Sequence, residues 1–214
     1  MQFALDTAGA RISAQRGIDA TCPQCSSRVI AKCGQLVIHH WAHEAVSECD
    51  PWWEHESEWH RSWKALVPPE RTEVTRGPHR ADIVRSDGTV VELQHSPISV
   101  DEIRERENFY GKMIWLFDGR NIDADGDYRR LLLRPKTSGS ITDVTFRFKH
   151  PRKHYGMCNA PVYVDLGNID FWYGDIHYKG DAVLHLKKLF LERPPYGGYG
   201  TLGEADAFRI WVRV

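Results

Sequence analysis

The stretch HRADIVRSDGTVVELQH, residues 79–95, constrains the fold more than any other part of this chain. Two β-branched runs flank Ser86-Asp87-Gly88, which predicts an antiparallel hairpin with Gly88 in the left-handed conformation. A three-residue loop there makes Arg85 face Thr89. Counting outward sets Asp82 across from Glu92, with Gln94 on the same face, because strand side chains alternate. Directly opposed like charges destabilise a hairpin by up to about 1 kcal/mol. The pair is therefore expected to share a cation, and hard Mg²⁺ or Mn²⁺ suits carboxylate oxygens.

The segments around the hairpin read as an α/β core. Upstream, PWWEHESEWHRSWKALV, residues 51–67, predicts a helix stopped by Pro68 and Pro69. Glu56, His60 and Lys64 recur along it at i, i+4 and i+8 as a polar stripe that can face the hairpin acids. Trp59, Trp63 and Leu66 form an apolar stripe able to hold the helix down. Downstream, SVDEIRERENFYGK predicts a helix with Ser at its N-cap and acids in its first turn, and MIWLF a buried strand. Taken singly, each polar residue has an ordinary explanation: Glu56 as a first-turn acid, Lys64 as a solvated cation, Asp82 as the partner of Arg80. Together they describe one site.

Beyond residue 128 the chain reads as mostly β. DVTFRFKH, APVYVDLG, IDFWYGDIHYKG and AFRIWVRV are aromatic and β-branched, and DAVLHLKKLFLERPP is expected to be a helix closed by Pro194 and Pro195. Three segments result: a small β module over 1–50, the α/β core over 51–127, and a β-rich region over 128–214 that can extend a DNA-binding surface.

Of five cysteines, Cys22, Cys25, Cys33 and Cys49 crowd into 28 residues. An odd count without a signal pattern argues against a disulfide framework. Cys-Pro-Gln-Cys, then His-His-Trp-Ala-His, supplies two ligand pairs of the kind tetrahedral Zn²⁺ prefers. Cys22, Cys25, His40 and His43 are the expected ligands of a structural zinc, with Cys49 able to replace one histidine. Packed free thiols and a redox Cys-x-x-Cys remain as other readings, but the paired histidines belong to neither. Cys33 and Cys158 read as spectators.

With 28 Lys and Arg against 29 Asp and Glu, the molecule is not a uniformly basic nucleic-acid binder. Between Tyr128 and Cys158, however, eight Lys and Arg face only Asp143, a stretch that can follow a phosphate backbone or form a solvated edge. No apolar run reaches the length of a membrane span, so a cytoplasmic protein without membrane contact is expected.

Across residues 1–120, in order, Cys-Pro-x-Cys, His-x-x-His, Glu-Ser-x-x-His-x-x-x-Lys, Arg-Ala-Asp-Ile, Glu-Leu-Gln-x-Ser-x-Ile-Ser, Arg…Tyr and Ile-Trp-Leu-Phe resemble the CoiA-like competence proteins. Those belong to the PD-(D/E)XK nuclease superfamily. The resemblance implies a restriction-endonuclease-like core, a mixed sheet flanked by helices, carrying a zinc-ribbon-like module. It also implies Mg²⁺- or Mn²⁺-dependent DNA hydrolysis, with Asp82 as the motif aspartate, Glu92 and Gln94 in the (D/E)-x-K positions and Glu56 as the acid on the first helix. His60 and Lys64 match polar helix positions, and Ser96, Arg106 and Tyr110 match supporting ones. Gln94 stands where the superfamily usually has lysine; a carboxamide can orient a water but adds no charge.

Three other readings are open: a non-catalytic nucleic-acid-binding protein, an HNH-type nuclease built on Cys-x-x-Cys and His39-His40, and an adaptor or inhibitor that binds a protein or a second copy of itself, as in conflicts between phage and host.

Overall fold

The computed structural model describes residues 1–45, 49–120, 131–137, 140–148, 153–173, 175–190 and 196–214. They form an α/β protein with a mixed sheet and few helices, divided into two compact units, Met1–Val84 and Arg85–Val214.

The first unit opens with five short strands, β1 (Phe3–Leu5), β2 (Arg11–Ser13), β3 (Ala20–Thr21), β4 (Arg28–Lys32) and β5 (His40–His43). They pair antiparallel in the order β2-β1-β3-β4-β5. Their shared core is thin: Ala4, Ala14, Ala20, Cys22, Val29 and Trp41. Trp41 is its one large side chain, and its indole N–H donates to the Ile12 carbonyl at 3.0 Å. Alanines bury little apolar area, so such a sheet calls for a further tie.

Helix α1 (Glu58–Lys64) follows, shorter than the predicted helix over 51–67. Ser57 caps it: its Oγ accepts from the His60 N–H, while His60 Nδ1 accepts from the Ser57 N–H at 3.2 Å. Glu56 therefore lies ahead of the helix, not on its face. Trp59 and Trp63 are buried as the apolar stripe requires. Strands β6 (Thr72–Arg76) and β7 (His79–Val84) pair antiparallel, Thr72 with Ile83 and Val74 with Ala81.

In the second unit the chain turns at Arg85–Thr89 as predicted, with the Arg85 N–H donating to Thr89 O at 2.9 Å and Gly88 at φ 81°. Strand β8 (Val90–Gln94), helix α2 (Val100–Tyr110) and β9 (Met113–Asp118) form a parallel crossover. Ser99 caps α2 by accepting from the Glu102 N–H at 3.1 Å. Then come β10 (Leu131–Thr137), β11 (Ser140–Phe148), β12 (Val162–Tyr173), β13 (Ile176–Phe190), β14 (Tyr196–Glu204) and helix α3 (Ala205–Arg213). The strands of this unit run β10-β11-β14-β13-β12-β9-β8, with β12 parallel to β9 and the other pairs beyond it antiparallel.

Two expectations reverse here. The predicted helix DAVLHLKKLFLERPP is mostly strand β13, which pairs with β12 on one side and β14 on the other; Pro194 and Pro195 lie outside the described residues. An irregularity between Leu186 and Lys188 shifts its apolar phase by one residue, which makes a two-residue alternation resemble a helical repeat. AFRIWVRV, predicted as strand, is mostly helix α3: Phe208 and Trp211 stack one turn apart at 5.4 Å, and Val212 is fully buried. Among the described residues, no helix is long and apolar enough to cross a membrane.

Candidate functional site

The first unit holds two polar clusters. In one, Cys22, Cys25, His43 and Cys49 bring four ligand atoms within 4.8 Å of one another. The turn after β3 positions the first two cysteines: the Cys22 N–H donates to Ser27 O, the Ser26 N–H donates to Cys22 O, and Ser26 takes φ 59°. The Gln24 N–H lies 3.4 Å from Cys22 Sγ, where a thiolate is stabilised. Cys22 Sγ is 3.7 Å from Cys49 Sγ, and Cys25 Sγ is 3.3 Å from His43 Nε2. Zn–S bonds of about 2.3 Å meeting tetrahedrally set sulfurs about 3.8 Å apart, so the donor set fits. This Cys3His group can bind zinc. Hydrogen bonds outweigh the burial of the Cys25 thiol and bring its pKa down to about 6, while burial and the neighbouring Cys22 push Cys49 up to about 12.

Cys49 thus takes the fourth place, not His40. The reason is local: on strand β5, residues three apart point to opposite faces. His40 Nδ1 instead lies 2.9 Å from the Ile38 carbonyl, and the ring lines a cavity of about 300 Å³ with Trp53, Glu54 and Glu56.

The second cluster is centred on Lys64. Its ammonium, with a side chain 3 % exposed, lies 3.0 Å from Glu56 Oε2, 3.0 Å from Asp82 Oδ1 and 3.4 Å from Glu73 Oε1. Burial alone would lower the Lys64 pKa, but Asp82, Glu56 and Glu73 outweigh it and hold the value above that of ordinary lysine. Burial likewise opposes ionisation of Glu73, and Lys64 and Arg80 reverse that, keeping its carboxyl below the usual range.

Glu73 is the residue that sequence reasoning missed. The flanking register sets it across from Asp82, and the two carboxylates, a different pair from the expected Asp82 and Glu92, share the Lys64 ammonium. Its carboxylate also accepts from the Gln2 N–H at 2.9 Å and the Phe3 N–H at 3.1 Å, tying β1 to the cluster, and its backbone adopts φ 46°. The only trace in the sequence is an acid in the otherwise strand-like Thr-Glu-Val-Thr.

His60 is buried in the capping box, with Nε2 3.6 Å from Glu54. In the second unit, Glu92 is 2 % exposed and accepts from Arg106 at 2.9 Å. Gln94 donates from Nε2 to Ser96 O at 3.0 Å, while its buried Oε1 has no donor among the described residues. Tyr110 ends α2. His95, which sequence reasoning also passed over, meets Asp118 at 2.9 Å where β8 and β9 end.

Residues 11–51 match the family described as "Competence protein CoiA, N-terminal domain". The match supports kinship with CoiA-like proteins over that segment and includes all four residues of the Cys3His group. No curated protein and no solved structure matches the chain.

Proposed function

We propose that the chain is a CoiA-like, Mg²⁺- or Mn²⁺-dependent DNA nuclease with a PD-(D/E)XK core and a structural zinc in the Cys3His group. The observation that carries it is the convergence of three carboxylates, Glu56, Glu73 and Asp82, on the Lys64 ammonium. Converging carboxylate oxygens are the donors a divalent cation takes, and Gln94 Oε1, without a donor among the described residues, can accept from a water. Asp82, Glu92 and Glu56 are the residues that would hold it. A bound divalent ion supplies Lewis acidity and lowers the pKa of its water.

The protein's own groups divide the remaining work. Lys64, 3.0 Å from Asp82, supplies the positive charge that glutamine at 94 lacks. Arg106 fixes the orientation of Glu92. Gln94 accepts from a water through Oε1 and is itself held by Ser96.

One observation favours a second reading, a non-catalytic nucleic-acid binder. Each acid assigned to the ion already has a protein cation, Lys64 for Glu56 and Asp82 and Arg106 for Glu92. The deciding measurement is cleavage of plasmid, linear and single-stranded DNA with Mg²⁺, Mn²⁺ or EDTA, beside Asp82→Asn and Glu92→Gln. The nuclease reading expects metal-dependent cleavage that either substitution reduces at least about a hundredfold while the variants still fold. Variants that cut like wild type would remove these acids from the reaction.

A further inference from the structure

The strands β10, β11, β14 and β13 show solvent an unusual face. On β11, Val144 and Phe146 are buried while Thr145 and Arg147 are exposed. Register carries the exposed face across the sheet. Arg134 pairs with Thr145, Thr145 with Tyr199, and Tyr199 with Lys188. In the next row Arg147 pairs with Gly197, and Gly197 with Phe190. The Lys188 ammonium stands 5.2 Å from the Phe190 ring, which sets both on one side.

A groove of about 350 Å³ opens here, lined by Arg134, Arg147 and Phe190 over Gly197 and Gly198. Packing demands those glycines: a Cβ at 197 would come 2.6 Å from the Phe146 carbonyl oxygen, and one at 198 only 1.9 Å from that of Lys188. The result is bare backbone beside a half-exposed aromatic ring. The acid in the adjoining row, Asp143, is already paired with Lys187 at 3.2 Å.

We propose that this face binds single-stranded nucleic acid, with bases stacking on Phe190 and Tyr199 and phosphates meeting Arg134, Arg147 and Lys188. Ring faces attract unpaired bases of any sequence, and a glycine floor lets a flat base approach the sheet. A duplex hides its base faces and gains only the phosphate contacts. The proposal holds whether or not the chain cuts what it binds.

The test is fluorescence anisotropy of the full chain in EDTA, with labelled oligothymidylate of about 20 nucleotides, the matching oligouridylate, and a duplex of equal length. Oligothymidylate is expected to bind more tightly than duplex. Phe190→Ala should weaken it about tenfold and Phe190→Tyr should preserve it. The double substitution Arg134→Glu/Arg147→Glu should weaken it at least about tenfold and lower the salt slope by about 2. Preference for oligouridylate would make RNA the ligand, and parity would make the face indifferent to the sugar; both support the site. Tighter duplex binding, or folded Phe190→Ala and double variants that bind like wild type, would overturn it. Binding in EDTA without cleavage in Mg²⁺ would leave this site standing and remove the nuclease reading instead.

Discussion

Lys64 shows how much one side chain decides in this protein. A buried ammonium costs several kcal/mol in desolvation, and only its three carboxylates make it tolerable. Lys64→Met should therefore lose about 3–5 kcal/mol in urea unfolding at neutral pH, because the acids are left buried without the cation they converge on. The pH dependence follows from Glu73, whose folded-state pKa lies below its ordinary 4.5. A depressed carboxyl contributes stability that is complete above its unfolded value and is lost as pH falls through the folded one. Wild type should begin to lose this contribution below about pH 4.5, and the deficit of Lys64→Met should narrow over the same fall. A deficit that stays constant with pH would show that charge is not what Lys64 contributes. The sequence marked Lys64, Asp82 and Glu56 as candidates; it could not show that Glu73 completes their cluster, since strand pairing is what brings residue 73 opposite residue 82.

At the scale of elements, local signals worked where one element carries its own information. The cap Ser99, the prolines after α1 and Gly88 in its turn all act within a few residues, whereas the start of α1 at Ser57 lies well inside the predicted helix. α1 has only seven residues, so its capping box matters more than in a long helix. Ser57→Ala should cost about 1 kcal/mol and Ser57→Asp much less, read by urea unfolding. An equal loss in both would show that the cap hydrogen bond is not the source. Local signals failed at β13 and α3. In β13 a mid-strand irregularity disguised the alternation, and pairing on both sides overrode helix-like composition. In α3 the aromatic residues that favour strands stack instead, Phe208 and Trp211 together against Tyr163.

At the scale of the whole molecule, the two units differ in what holds them. The second has a long sheet with many large buried side chains, among them Trp115, Phe117, Phe146 and Leu184. The five-stranded sheet of the first has a core mostly of alanines and the Cys3His group. Metal removal should therefore loosen the first unit selectively. Cys49→Ser is expected to abolish the zinc found by elemental analysis and to raise hydrogen exchange across β3–β5, whereas His40→Ala keeps both. Loss of zinc in His40→Ala with retention in Cys49→Ser would reverse the ligand assignment. The sequence by itself determined the α/β class, the hairpin turn, the Ser99 cap and the cysteine-rich module, because turns, caps and ligand spacing act over a few residues. Only the tertiary structure decided that Cys49 replaces His40, that Glu73 joins Lys64, and that Arg134, Arg147 and Phe190 share an exposed face. Those facts depend on strand register and side-chain direction, which are set by partners far away in the chain.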